Sequence, residues 1–130
     1  MYMVECRTWE EQKNVKCIFH TLVEIPGVEV CRIHPLQQES VKNVLEALKG
    51  DGRIKAVVLF GSSVNLRCTI HSDLDFVVQL KPECVNNEAK NDISEKIQEA
   101  CGWNADVLWY DRIYTNERLM DNVLKGVQII

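Results

Sequence analysis

The chain has 130 residues, the size of one domain, and 46% of them are apolar, so it can bury a core and falls outside the disordered class. A net charge of −4 leaves it without the basic footprint of a nucleic-acid binder. No stretch is long enough to span a membrane, and the opening run MYMVECRTWEE lacks the apolar centre of a signal peptide, so the expected location is cytoplasmic. Six cysteines without a CxxC pair point to thiols and against a disulfide framework or a zinc site.

Residues 1–35 read as an N-terminal extension. Val15, Cys17, Phe19, Thr21, Val23 and Ile25 alternate as one face of a strand. Pro26-Gly27 is a turn signal before a second alternating run from Val28 to Ile33. The expectation is a β-hairpin over 15–24 and 28–33, placed to extend the main sheet or to form an association surface. From residue 36 the pattern changes. Pro35 opens a helix over 36–49 with Val41, Val44, Leu45 and Leu48 as its apolar stripe, closed by Gly50. An apolar strand over 54–60 runs into Gly61-Ser62, with a short helix over 63–67. A second strand covers 74–80. Asn86 or Asn87 caps a helix that reaches Cys101 and stops at Gly102. A third strand spans 105–110, Thr115 or Asn116 caps a last helix, and 127–130 can add a short edge strand. Strands alternating with helices predict an α/β (α+β) fold, a mixed sheet flanked by helices, over 36–130.

The residues that carry chemistry lie between the first two strands. Asp73 and Asp75 are two apart, a spacing that puts both carboxylates on one face of a strand. Two like charges on an apolar strand repel, and a divalent cation removes that cost; oxygen ligands of this kind suit Mg²⁺. Upstream, Gly61-Ser62 ends an apolar strand where the N–H groups of a turn can attract phosphate. A phosphate cradle followed by an acid pair suggests a nucleoside triphosphate site. The bland alternative is a solvated turn leading into a strand. Ser72 reads as the residue that shapes the turn into Asp73, His71 as a solvated loop residue, and His20 and His34 as surface or sheet residues. Trp103 and Trp109 read as core or interface.

Gly61-Ser62, ten intervening residues, Asp73-Leu74-Asp75 on a strand and then Asp106 on a later strand together resemble the polymerase-β-like nucleotidyltransferase superfamily. More narrowly, the pattern resembles the minimal nucleotidyltransferases of prokaryotes, small domains often encoded beside a helical HEPN partner. The similarity covers roughly 37–130. Val64-Asn65-Leu66 departs from it, standing where many members carry an Ala-Arg-Gly-like run, with Arg67 one step further on. The resemblance implies the polymerase-β-like fold. It implies Asp73, Asp75 and Asp106 as catalytic ligands of Mg²⁺ or Mn²⁺, and Gly61, Ser62 and Arg67 as contacts of ATP or another nucleoside triphosphate. The reaction it implies moves a nucleoside monophosphate, AMP from ATP, to a hydroxyl on a partner protein of the HEPN type, as an antitoxin would. Two rivals stand beside this. One is a non-catalytic antitoxin or regulatory module that masks a partner by contact. The other is a transferase acting on a small molecule of the antibiotic type, with its acceptor pocket completed in a homo-oligomer.

Overall fold

The computed structural model describes residues 17–130. The sheet begins with β1 (Ile54–Phe60) and β2 (Leu74–Leu80), which pair antiparallel with Val57 opposite Val78 and Phe60 opposite Asp75. β3 (Ala105–Trp109) lies parallel to β2, and β4 (Val127–Gln128) lies antiparallel to β1, giving the order β3-β2-β1-β4. Both central strands are apolar on two faces, as strands covered on each side must be. Leu59, Phe76, Val57 and Val78 turn to one face and are fully buried there, while Val58, Phe60 and Val77 turn to the other. Gly126 lets the chain reach β4, because a Cβ at that position would collide with the Leu59 carbonyl.

The main core lies between the first face and two helices. α1 (Pro35–Leu48) contributes Val41, Val44 and Leu48, and α2 (Asn87–Cys101) contributes Ala89, Ile93 and Ile97. Both helices begin at a side-chain cap. His34 Nδ1 accepts from Leu36 N at 3.2 Å, and Asn86 Oδ1 accepts from Ala89 N at 2.8 Å. α2 ends at Gly102, which takes the left-handed conformation at φ 73°. On the second face, a one-turn helix α3 (Tyr110–Ile113) and α4 (Glu117–Leu124) cover a smaller cluster of Phe60, Val77 and Val123. Asn116 caps α4 through Leu119 N at 3.1 Å. The mixed sheet flanked by helices is the architecture expected, and strand and helix limits from 35 onward agree to within a few residues.

The hairpin expected over 15–24 and 28–33 is replaced by a different arrangement; Val15 and Lys16 lie outside the described residues. Among the described residues, Phe19 N donates to Cys31 O at 2.6 Å between the two runs, and Val30–Arg32 forms a 3-10 turn where the second strand was expected. The reason is a side chain. Gln38 of α1 is fully buried and takes the place of a partner strand. Its Oε1 accepts from Leu22 N at 2.7 Å and Val23 N at 3.3 Å, and its Nε2 donates to His20 O and Ile33 O, each at 2.9 Å. Backbone groups already paired with an amide side chain have no need of a ladder. Among the described residues, no helix is long and apolar enough to cross a membrane.

Candidate active site

β2 alternates strictly, so Leu74, Phe76 and Val78 face the main core while Asp75 and Val77 face the other way. Asp73 stands just before the strand and is exposed, and Asp75 is half-buried. Asp106 is the register partner of Asp75 on the parallel neighbour β3, so the two carboxylates emerge side by side. Phe60, the last residue of β1, lies across from Asp75 on the other flank. Three acids expected from the sequence thus gather at the starts of two adjacent strands, beyond the edge of the smaller hydrophobic cluster.

Electrostatics register that crowding. Burial pushes the Asp75 carboxyl up to about 6, and the neighbouring charges of Asp106 and then Asp73 push it the same way. A hydrogen bond with Asp106 also favours the protonated form.

Gly61 follows β1 directly and has φ +76°, a conformation that only glycine adopts without strain. A Cβ there would run into the Asp75 carboxylate. The glycine therefore lets the turn lie against the acid. Gly61–Val64 forms a 3-10 turn with no side chain capping its start, which leaves its first N–H groups for another acceptor. Ser62 is half-buried in this turn and its carbonyl accepts from Asn65 N at 3.1 Å. Asn65 closes the turn in another way, donating Nδ2 to Gly61 O at 3.1 Å and accepting Arg67 N at 2.9 Å. That Asn thus gives the run Val64-Asn65-Leu66 its own means of holding the loop. Arg67 is exposed beyond it.

The loop from 61 to 73 is fastened to its surroundings at several points. His34 N donates to Ser63 O at 2.7 Å, while the Ser63 hydroxyl is buried without a hydrogen-bond partner. Ser72 shapes the turn as expected, accepting Thr69 N on its hydroxyl at 2.9 Å and donating its own N–H to Thr69 O at 3.0 Å. Its carbonyl accepts two side-chain amides, Gln37 Nε2 at 3.0 Å and Asn104 Nδ2 at 3.1 Å. Cys68 is buried beneath this loop, and burial pushes its thiol up. His34, read from sequence as a surface or sheet residue, is instead buried against Phe19 at 5.1 Å between ring centroids. Sequence reasoning also missed Gln37 and Asn104. The one signal for Gln37 was a polar pair, Gln37-Gln38, at the start of a helix whose next turns are apolar.

The chemistry of the three acids fits a hard divalent cation, since ionised carboxylates crowded together gain most from one. Among the described residues, no three His, Cys, Asp or Glu side chains stand close enough to form a finished metal centre by themselves. Mg²⁺ does not require one, because it commonly takes one or two carboxylates and completes its shell with substrate phosphates and water. Trp109 packs against the main core, on the face of the sheet opposite the acids, with Lys90 Nζ 5.7 Å from its ring centre.

A family model described as polymerase beta, nucleotidyltransferase matches residues 42–130. A comparison with curated proteins finds no match. Among solved structures, the chain is similar to one in the crystal structure of the toxin–antitoxin pair MntA–HepT, at 19% identity over 72% of each chain with a TM-score of 0.50. It is also similar to one in the complex of tri-AMPylated Shewanella oneidensis HEPN toxin with MNT antitoxin, at 20% identity over 72% of this chain and 71% of that one, with a TM-score of 0.50. At such identities the likeness speaks for the fold. The family match spans the Gly61 turn and all three acids, and on that ground the chain belongs to the polymerase-β nucleotidyltransferase family, with the fold of a minimal nucleotidyltransferase.

Proposed function

We propose that the chain transfers AMP from ATP to a hydroxyl on a partner protein of the HEPN type. The observation that carries this reading is the gathering of Asp73, Asp75 and Asp106 at the start of β2 and β3, with Gly61 held against Asp75. A divalent cation, Mg²⁺ or Mn²⁺, would be held by these carboxylates and would supply neutralisation of the triphosphate and of the leaving pyrophosphate. The residues themselves do the rest. The uncapped N–H groups of the turn at Gly61 and Ser62 receive phosphate oxygens, and Arg67 lies on the loop that follows them. The acceptor oxygen bonds to the α-phosphorus as the bridging bond to the β-phosphate breaks. Asp106, exposed at the rim, takes the acceptor's proton. The nature of the acceptor is supported by the fold likeness to MNT antitoxin structures, one of which holds a tri-AMPylated HEPN toxin.

The test is incubation of the chain with ATP, Mg²⁺ and a HEPN-type protein, followed by mass spectrometry. The expected result is an AMP adduct on a hydroxyl side chain of the partner. A partner that is bound and inhibited without any adduct would instead establish the contact-only module.

A further inference from the structure

Neutral amide side chains from three places in the fold hold the backbone directly ahead of two of the acids. Gln37, in the first turn of α1, and Asn104, just before β3, both donate to Ser72 O, at 3.0 and 3.1 Å. Asn104 O in turn accepts from Leu74 N at 3.0 Å. Asn104 therefore grips the chain on both sides of Asp73, and it lies two residues ahead of Asp106 on the same segment. On the neighbouring strand, Gln98 of α2 donates Nε2 to Ala105 O at 2.6 Å and accepts Ala105 N at 3.3 Å, immediately before Asp106.

The choice of residue type is informative. Asp73 and Asp106 are exposed, so packing does not fix their carboxylates; Asp106 has a hydrogen bond with Asp75, and for both the backbone that carries them is a further means of placement. A lysine or arginine could hold the same carbonyls but would also neutralise the acids. An amide holds backbone without adding charge. Gln37 is 5% exposed, and an apolar side chain would fill its place equally well if packing were its only task.

We propose that Gln37, Asn104 and Gln98 are positioning residues that set Asp73 and Asp106 against Asp75 before ligand arrives and leave the cluster's negative charge intact for a divalent cation. The inference rests on the nucleotidyl-transfer reading and adds to it a shell of supporting residues. Such outer partners orient ligands, and their loss weakens metal binding.

Mn²⁺ alone serves as the probe, with binding read from the paramagnetic resonance of the free ion and no nucleotide present. Gln37→Met, Asn104→Leu and Gln98→Met keep side-chain volume and remove the amide. The Gln37→Met/Asn104→Leu double variant is expected to bind Mn²⁺ about ten-fold more weakly than the wild type, and each single variant to lose part of that. The melting temperature of the metal-free protein is measured beside it. Variants that melt earlier but bind Mn²⁺ with wild-type affinity would show a purely structural role and overturn the inference. If the double variant does not fold, the three single variants decide, and unchanged affinity in all of them overturns it. A wild-type protein that binds no Mn²⁺ without nucleotide removes this inference, because no carboxylate site is then set before ligand arrives, and leaves the nucleotidyl-transfer reading to titration with ATP and Mg²⁺. A wild type that binds, with variants that bind equally well, removes this inference alone.

Discussion

Asp75 is half-buried beside two acids, Asp106 and Asp73, and its behaviour on titration follows from that burial and then from those charges. Its carboxyl ionises near 6 in the folded chain against an ordinary 3.8. Between those values the native state holds more protons than the unfolded one, so this group's contribution to stability is complete below about pH 4 and is lost as pH rises through about 6. Denaturation of the metal-free protein at pH 5 and pH 7 should show the loss, and Asp75→Asn should flatten it. Saturating Mg²⁺ should recover stability at pH 7, since the ion favours the charged form. The same side chain explains Gly61. Gly61→Ala places a methyl group against the Asp75 carboxylate at positive φ, with a backbone cost of about 1–2 kcal/mol before any displacement of the acid. The expected result is a folded protein of lower melting temperature with transfer lost. Asp73→Asn and Asp75→Asn should each abolish transfer while the fold remains, which circular dichroism beside an adduct assay checks. That Asp73, Asp75 and Gly61 come together could be read from the sequence, because their spacing along β2 and the turn after β1 sets it. Gln37 and Asn104 could not, because a hydrogen bond to Ser72 O depends on where three separate segments meet.

At the scale of elements, α1 does two jobs. Its apolar stripe of Val41, Val44 and Leu48 packs on the sheet, and its first turn ties down both the N-terminal segment and the loop ahead of β2. Gln38 is the centre of the first tie. Gln38→Leu leaves His20 O, Leu22 N, Val23 N and Ile33 O without their partner, and the expected destabilisation is about 3 kcal/mol by urea titration. A loss within experimental error would mean that water replaces the amide there. This tie is also why the hairpin expected over 15–24 and 28–33 is not the arrangement adopted. Alternation of apolar residues sets a strand's faces but not its partner, and here a glutamine from a helix supplies the partner. The later elements were legible for the opposite reason. Asn86 and Asn116 cap through their own nearby N–H groups, and Gly102 ends α2 by its own backbone conformation, so each boundary is decided within a few residues of itself.

In the whole molecule, the sheet order β3-β2-β1-β4 brings together residues that lie far apart in sequence. Gly61, Asp73, Asp75 and Asp106 converge because β2 has β1 on one side and β3 on the other. The acids sit at the rim beyond the α3–α4 cluster, where Asp73 and Asp106 are open to solvent. The central claim is that this rim binds nucleotide through carboxylate-held metal. Calorimetric titration with ATP, with and without Mg²⁺, on the wild type and on Asp75→Asn, tests it most directly. The account predicts ATP binding by the wild type that requires Mg²⁺ and is lost in Asp75→Asn. Binding that is the same without Mg²⁺, or that survives in Asp75→Asn, would contradict it.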